Sequence, residues 1–465
     1  MIKVINNDSL NKYDRISVIV DGIKYVPSSL RVSKEPFNTP WPGHQRDLSQ
    51  TEENGYFHIL TDIEEVKIKV IPNIEFKKYY IRPISYNIKS IIKNGEISFS
   101  LKPGKYVLEL DDLHNALHII VDTYKDFKEF GKPTMVFKEG VHIQNKIELK
   151  SGDRIYLKEN SHVKGFIISK NVSNVRIYGY GILDDSLEIR DVPDCYSDRS
   201  NGCLRMYESN DIIIDSITLI DSSNWVISMF GSSNIMINNV NILGHYKYNT
   251  DGIDIVNSKD ISVSNSLIHV FDDAICVKGI YDYKEYDSKN ILIENNIIWC
   301  GWGRSLEIGL ETLCNKINNI KYRNCNLIHN SAVALDIQSG DYAEICDIEY
   351  KDINIEFNHN EMEEIMEDIN NSIYEPKIND YMPKLINIST YEYRLGEYFK
   401  ELDDKMAVIR KNKYSYIHNI VFDGITVYKE KENKNPIIEF SVKKPNILVK
   451  PDIKYEVKIY GSQNE

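Results

Sequence analysis

The chain has 465 residues, 27% of them charged and 42% hydrophobic, which is long enough for a large core or two domains and ordinary for a soluble globular protein. Its net charge of −13, from 69 acidic and 56 basic residues, argues against nucleic acid and anionic membrane surfaces as partners, because both reward clustered Lys and Arg. No run of about 18 apolar residues occurs, so no membrane span is expected.

The first residues, MIKVINNDSLNKYDRISVIV, hold no apolar stretch flanked by positive charge, so no signal peptide is expected. Seven cysteines are scattered without framework spacing, and the number is odd. Reduced thiols in the cytoplasm are the simplest expectation. CxxC and HExxH spacings are absent, so neither a metal nor another cofactor is expected.

Residues 1–125 read as short strands with turn punctuation, among them Arg15–Val20, Tyr56–Ile59, Val66–Val70, Ile97–Leu101 and Tyr106–Leu110. Helical periodicity is weak there, and the expectation is an N-terminal β-sandwich. A rigid loop, Thr39-Pro40-Trp41-Pro42-Gly43-His44-Gln45-Arg46, interrupts it. It packs between domains, or it brings Trp41 or Arg46 to a substrate groove.

From about residue 135 a motif recurs: Asn or Asp, an aliphatic, any residue, an aliphatic or aromatic. It starts at Asn174, Asp211, Asn234, Asp260, Asn290, Asn319, Asp347 and Asn419. Most separations are about 23–30 residues, the range of a solenoid. Each unit has room for two or three strands and no long helix. The expected fold is therefore all-β, a right-handed parallel β-helix over 126–465 following the sandwich. Coils about 4.8 Å apart would stack like residues in ladders, and the Asn and Asp starts read as turn ladders. A charged stretch around 358–412 reads as an insertion on one coil: a solvated excursion, or a wall closing one end of a groove.

Three strands superpose: Gly252-Ile253-Asp254-Ile255, Ala274-Ile275-Cys276-Val277 and Ser305-Leu306-Glu307-Ile308. One column preceding the strands holds Trp225, Asp251, Asp273, Arg304 and Val333. A second, within them, holds Ser228, Asp254, Cys276, Glu307 and Asp336. Alternation points the second column outward and Ile253, Ile275, Leu306 and Leu335 inward. Asp251 and Asp273 have inward parity, so they reach solvent only from a turn before the strand. Asp251 and the pair Asp272-Asp273 then lie on adjacent coils. Carboxylates so close cannot all ionise comfortably, and one is left protonated beside ionised partners. That division suits glycoside hydrolysis.

The stretch resembles the pectinase-like β-helical hydrolases: glycoside hydrolase family 28 polygalacturonases, and families 49 and 87. Asn249-Thr250-Asp251-Gly252, Asp272-Asp273-Ala274 and Gly303-Arg304-Ser305-Leu306-Glu307 fall in the family order, and the likeness runs from about Gly140 to Asp352. The sandwich is similar to the N-terminal domain of family 49. The resemblance implies an inverting mechanism, with Asp272 as general acid and Asp251 and Asp273 holding and activating water.

Polygalacturonases carry Gly-His-Gly where this chain has Gly303-Arg304-Ser305, and a carboxylate-gripping Arg-Ile-Lys where it has Ala334-Leu335-Asp336. Losing cations and gaining an acid removes the basis for holding a uronate. The expected substrate is a neutral oligosaccharide, cleaved from one end. Trp302, Lys278, Arg304, Glu307 and Asp336 are the candidate substrate-binding residues. Lys278 reads equally as a plain surface lysine, and Arg304 as an ion-pair partner of Glu307 or Asp273. Rival readings are a polygalacturonase-like enzyme or polysaccharide lyase acting on a uronate, and a non-catalytic glycan-binding β-helix.

Overall fold

The computed structural model describes residues 1–38, 46–189, 202–358, 361–366, 373–390, 400–430, 435–442 and 452–463. Trp41 lies outside them. Two N-terminal sheets, one of six strands and one of five, face each other across one core. Val18, Ile68 and Phe99 from the smaller sheet meet Phe57, Ile81 and Ile119 from the larger. All five strands anticipated there form, within a residue at the start of the first.

The rest is a right-handed parallel β-helix built as one continuous 28-stranded sheet. The chain enters it at Met135–Phe137, which pairs with Ile155–Leu157. Each coil gives three strands, and each strand pairs in parallel with its counterpart one coil on. All eight motif starts, Asn174 through Asn419, adopt left-handed backbone, with φ between 52° and 58°. Asn and Asp tolerate that conformation where other side chains resist it. Their side chains form rungs: Asn290 Nδ2 donates to Asp260 Oδ1 at 2.8 Å, and Asn319 Nδ2 to Asn290 Oδ1 at 3.0 Å.

Inside, aliphatic ladders fill the bore, joined by an aromatic stack. The Tyr322 ring centre lies 4.6 Å from that of Tyr350, and Tyr350 4.8 Å from Phe422, with ring planes nearly parallel. The two hydroxyls donate to the backbone carbonyls of Glu307 and Asp336. Interior packing thus fixes the backbone of two outward-facing residues.

The sandwich packs its six-stranded sheet against one flank of the helix. Leu30, Tyr56 and Ile120 meet Leu243, Leu267 and Trp299. Trp299 is core, stacked 3.9 Å from His269 and 4.2 Å from His329. Arg82 bonds Glu109 at 2.8 Å and pairs with Glu356, which ties the domains further.

The charged stretch 358–412 is not one continuous excursion. Lys384–Thr390 returns to the solenoid, with Leu335 opposite Ile386 and Asp336 opposite Asn387. The chain leaves again for the helix Lys400–Arg410 and rejoins at Tyr416–Lys429. Polar residues surround the aliphatics of that middle strand, so its alternation is hidden in sequence. Among the described residues no helix is long and apolar enough to cross a membrane.

If the turn ladder carries stability, Asn290→Ala will lower it by about 1–2 kcal/mol through backbone strain and two lost hydrogen bonds. Asn290→Gly will recover most of the strain part. Chemical denaturation of the two variants checks this.

Candidate active site

The register of the coils sets the site. The second column is found as expected: Ser228 opposite Asp254, then Cys276, Glu307 and Asp336, with Asn387 beyond. Ile253, Ile275, Leu306 and Leu335 point inward, fully buried. The strands begin at Ile253 and Ile275, so Asp251 and the Asp272-Asp273 pair sit in the turns just before them. That placement frees Asp251 and Asp273 from strand parity and brings the three carboxylates to one place.

Gly303 shows how close they stand. A Cβ there would come 2.2 Å from Asp273 Oδ1 and 2.9 Å from Asp272 Oδ1. Across the two preceding coils, carboxylate oxygens of Asp251 and Asp273 lie within 4.8 Å of each other and of Cys276 Sγ. Relative exposures are 2% for Asp251, 4% for Asp272 and 9% for Asp273.

Each carboxylate has a different set of partners. Lys278 Nζ lies 2.9 Å from Asp251 and 2.8 Å from Asp254, with its ammonium 4.2 Å from the Trp225 ring centre. Asp273 Oδ1 accepts the Arg304 N–H at 2.7 Å and lies 3.8 Å from the guanidinium Nη1. Asp272 Oδ1 accepts the Asp273 N–H at 3.0 Å. Among the described residues no cation pairs with Asp272.

Protonation follows from those surroundings. Burial, then the charges of Asp251 and Asp273, hold the Asp272 carboxyl well above the usual carboxylate range. Burial also lifts Asp251, to about 6, while Lys278 pulls it down and Asp273 pushes it up. Burial alone would lower Lys278, but Asp251 and Asp254 outweigh it and keep the ammonium charged. The tight pair and the raised Asp251 value are opposed in sense. The 2.9 Å contact decides for an ionised Asp251 at neutral pH.

The candidate substrate-binding residues divide. Lys278 is no surface lysine: it is buried under Trp225 and committed to two aspartates. Asp336 is fully covered, accepting from Gln338 and, at 2.7 Å, from Asn387, with Arg304 Nε 3.6 Å away. Glu307 is also covered, and its Oε1 has no hydrogen-bond partner. Burial first, then Asp273, raises the Glu307 carboxyl well above its usual value. Arg304 keeps a quarter of its side chain accessible and reaches toward both Asp273 and Asp336. Trp302 packs with Phe271 and Tyr248, and its Nε1 donates to Ile365 O at 3.3 Å.

Two residues joined the cluster without being singled out as site candidates. Asp254 shares Lys278 with Asp251; its outward parity in Gly252-Ile253-Asp254-Ile255 was the available signal. Glu364, in the insertion where no periodic pattern marks it, is linked to the cluster through charge. Its carboxyl is raised to about 7 by burial, against the pull of Arg304 and with the push of Asp273 and Asp336.

Two groups of side chains have ligand atoms close enough to share a metal ion: Asp251, Asp273 and Cys276, and Glu344, Cys346 and His418. In each an ammonium already stands against a carboxylate, Lys278 at 2.9 Å and Lys316 at 3.4 Å. That arrangement suits an ion pair better than a divalent cation. A broad concavity of about 1210 Å³ lies away from the carboxylates, on the sandwich beside Ile19, Lys69 and Tyr86. It contains no cluster of catalytic groups.

The family model described as glycosyl hydrolases family 28 matches residues 126–370. Among solved structures, Dex49A from Penicillium minioluteum is similar at 13% identity, with a TM-score of 0.57, over 93% of this chain and 95% of that one. A hyperthermoactive exopolygalacturonase from Thermotoga maritima is similar at 16% identity, with a TM-score of 0.49, over 72% and 86%. A family 28 exopolygalacturonase from Yersinia enterocolitica is similar at 11% identity, with a TM-score of 0.49, over 85% and 90%. Among curated proteins none matches. At these identities the likeness to Dex49A shows the shared fold.

Gly303 tests the packing of the trio. Gly303→Ala will displace Asp272 and Asp273 and cut turnover by about 100-fold or more. Thermal unfolding measured beside the kinetics will show a much smaller change.

Proposed function

This chain belongs to glycosyl hydrolases family 28 and is a glycosidase acting on glycans, and from that premise we propose that it is an inverting enzyme that removes sugar units from one end of a neutral oligosaccharide. The observation that carries the proposal is the unequal sharing of cations among three adjacent aspartates. Lys278 serves Asp251, and Arg304 serves Asp273. Asp272 has neither, so it is the group that keeps a proton.

In this reading Asp272 protonates the leaving glycosidic oxygen. Asp251, ionised beside Lys278, and Asp273 position a water on the other side of the anomeric carbon and take its proton as it attacks. Lys278 keeps Asp251 ionised without contacting sugar. Burial of the whole cluster strengthens each of these interactions.

Charge supports a neutral substrate. The cations near the trio are already committed to carboxylates, while Glu307, Asp336 and Glu364 add acceptors. Sugar hydroxyls pair well with carboxyl groups, whereas a uronate needs a cation, and Lys278 and Arg304 already stand against aspartates. Attack from one end is supported by the segment 361–366, which packs across the Trp302 side of the site. A cytoplasmic enzyme receiving short imported oligosaccharides is consistent with the six described cysteines, all free and buried.

The deciding experiment is a screen of neutral oligosaccharides and oligogalacturonate with reducing-end detection. Release from neutral oligosaccharides is expected. Efficient hydrolysis of oligogalacturonate alone would overturn the specificity, and an ultraviolet-absorbing unsaturated product would indicate a lyase. Asp272→Asn will lower kcat by about 10³-fold or more on a substrate with a poor leaving group. NMR of the first product will show the inverted anomer.

The pH profile of kcat/KM should be bell-shaped. Its acid limb lies near 6, where Asp251 takes a proton and activity falls. Lys278 lowers the Asp251 pKa, so Lys278→Met will raise it and move that limb to higher pH. An unmoved limb would remove Lys278 from this role.

A further inference from the structure

Each of three successive site coils places one aromatic ring just before its site turn. Tyr248 stands shortly before Asp251, Phe271 directly before Asp272 and Trp302 shortly before Arg304. The three rings are buried together, with Tyr248 edge-on to Phe271 at 5.9 Å and Phe271 stacked on Trp302 at 6.2 Å between ring centres. Two of them are tied by hydrogen bonds: Tyr248 Oη donates to Gln50 Oε1 at 3.4 Å, and Trp302 Nε1 to Ile365 O at 3.3 Å. Phe271 has no polar side-chain atom to tie. The first two turns are themselves joined, since Gly252 N donates to Asp273 O at 2.8 Å.

Arg46 supplies the tie that Phe271 lacks. It lies in the link between Ser28–Ser33 and Thr51–Thr61, two paired strands of the six-stranded sheet, and is 3% exposed. Its guanidinium stands 4.4 Å from the Phe271 ring centre and 5.4 Å from that of Tyr248, within the range of cation–ring attraction. Nη1 donates to Phe37 O at 2.6 Å and Nη2 to Glu35 O at 3.0 Å. Between those carbonyls, Pro36 O accepts the Ile365 N–H at 2.9 Å, and Phe37–Asn38 pairs with Ile365–Met366. The segment 361–366 is therefore a strap bonded to the same short stretch that Arg46 holds. Among the described residues no carboxylate pairs with Arg46, and its charge rests on two rings and two carbonyls. A planar guanidinium serves both at once, whereas a lysine ammonium is a point charge.

Resting on the reading of Asp272 as the acid and Asp251 as part of the water-activating pair, we propose that Arg46 is a positioning residue for the reaction: it fixes the Phe271 and Tyr248 rings and, through them, the turns that carry Asp272 and Asp251. Catalytic groups need their geometry held within about 0.5 Å. A ring free to tilt carries the adjoining aspartate with it. Displacing Asp251 lengthens its 2.9 Å contact with Lys278. Arg46 acts through the rings and not by contact with sugar. The sandwich thereby takes part in catalysis from behind the site.

Arg46→Met keeps the stem and removes the guanidinium, and Arg46→Lys keeps a cation over the rings. Tyr56→Leu is the control for docking alone, because Tyr56 Oη meets Thr218 Oγ1 across the same domain contact at 3.1 Å, on an earlier coil. Turnover of neutral oligosaccharides of glucose, galactose and xylose is read well below every unfolding midpoint. Arg46→Met should lower kcat about tenfold or more while KM changes less. Because Lys278 holds the Asp251 pKa down, loosening their contact should also move the acid limb of kcat/KM to higher pH by about half a pH unit. Arg46→Lys should recover most of both effects, and Tyr56→Leu should show neither. Amide hydrogen exchange should quicken about tenfold over 246–252 and 271–274 in Arg46→Met and not in Tyr56→Leu. An unaltered kcat or an unmoved limb in Arg46→Met overturns the proposal. So does an equal loss in Tyr56→Leu, which would assign Arg46 to docking only. Unchanged exchange in Arg46→Met overturns it too, and that measurement needs no substrate. Asp272→Asn separates this from the catalytic reading: full activity there rejects the acid, whereas an inactive Asp272→Asn beside a normal Arg46→Met rejects Arg46.

Discussion

In a parallel in-register solenoid every residue has its own column mate about 4.8 Å away on the next coil. Inside the bore this constraint is favourable, because aliphatic side chains stack on aliphatic ones and the tyrosines on each other. On the outer face it aligns Asp254, Cys276, Glu307 and Asp336, where like charges repel. The chain answers with Lys278, Arg304, Gln338 and Asn387. It leaves the remaining cost as proton uptake, since buried carboxylates in excess of cations hold protons. One geometric rule thus gives the fold its regularity and gathers buried carboxyl groups on one face.

The parts of the molecule governed by that rule were legible in the chain. The eight Asn and Asp starts marked the left-handed turns, and the column Ser228, Asp254, Cys276, Glu307 and Asp336 aligned residue by residue with the observed register. The placement of Asp251 and Asp273 in turns followed from parity. What escaped was set by long-range packing. Lys278 read as well for a surface residue as for a subsite, because nothing local announces that Trp225 covers it. Trp302 read as a substrate-binding candidate, and nothing local announced that its indole also donates to the Ile365 carbonyl. Glu364 lies in the acidic run EMEEIMED, which has no period to interpret. The insertion read as one excursion, because the strand Lys384–Thr390 is too short and too polar-flanked to stand out.

The sandwich is more than a neighbour of the solenoid. Its core is independent, but its outer sheet buries the flank that carries Trp299. The two-residue strand Phe37–Asn38, which belongs to neither sandwich sheet, pairs with Ile365–Met366 beside Trp302. Domain docking and groove shape are therefore one structural event. Arg46 extends the same contact, its guanidinium lying 4.4 Å from the ring centre of Phe271, directly before Asp272.

The pairing of Phe37–Asn38 with Ile365–Met366 joins the start of the chain to a segment made near its end. Coils can be laid one on another as synthesis proceeds, each needing only the one before it. The strap obeys a different order, since its docking strand is finished long before its own residues emerge. A chain stopped before residue 361 would already carry all three aspartates, stacked and paired, on a surface open along one side. Only the complete chain adds the segment 361–366 beside Trp302. The three-carboxylate cluster is laid down first and the strap beside it afterwards, and closing the long loop between them costs little more entropy than closing a short one.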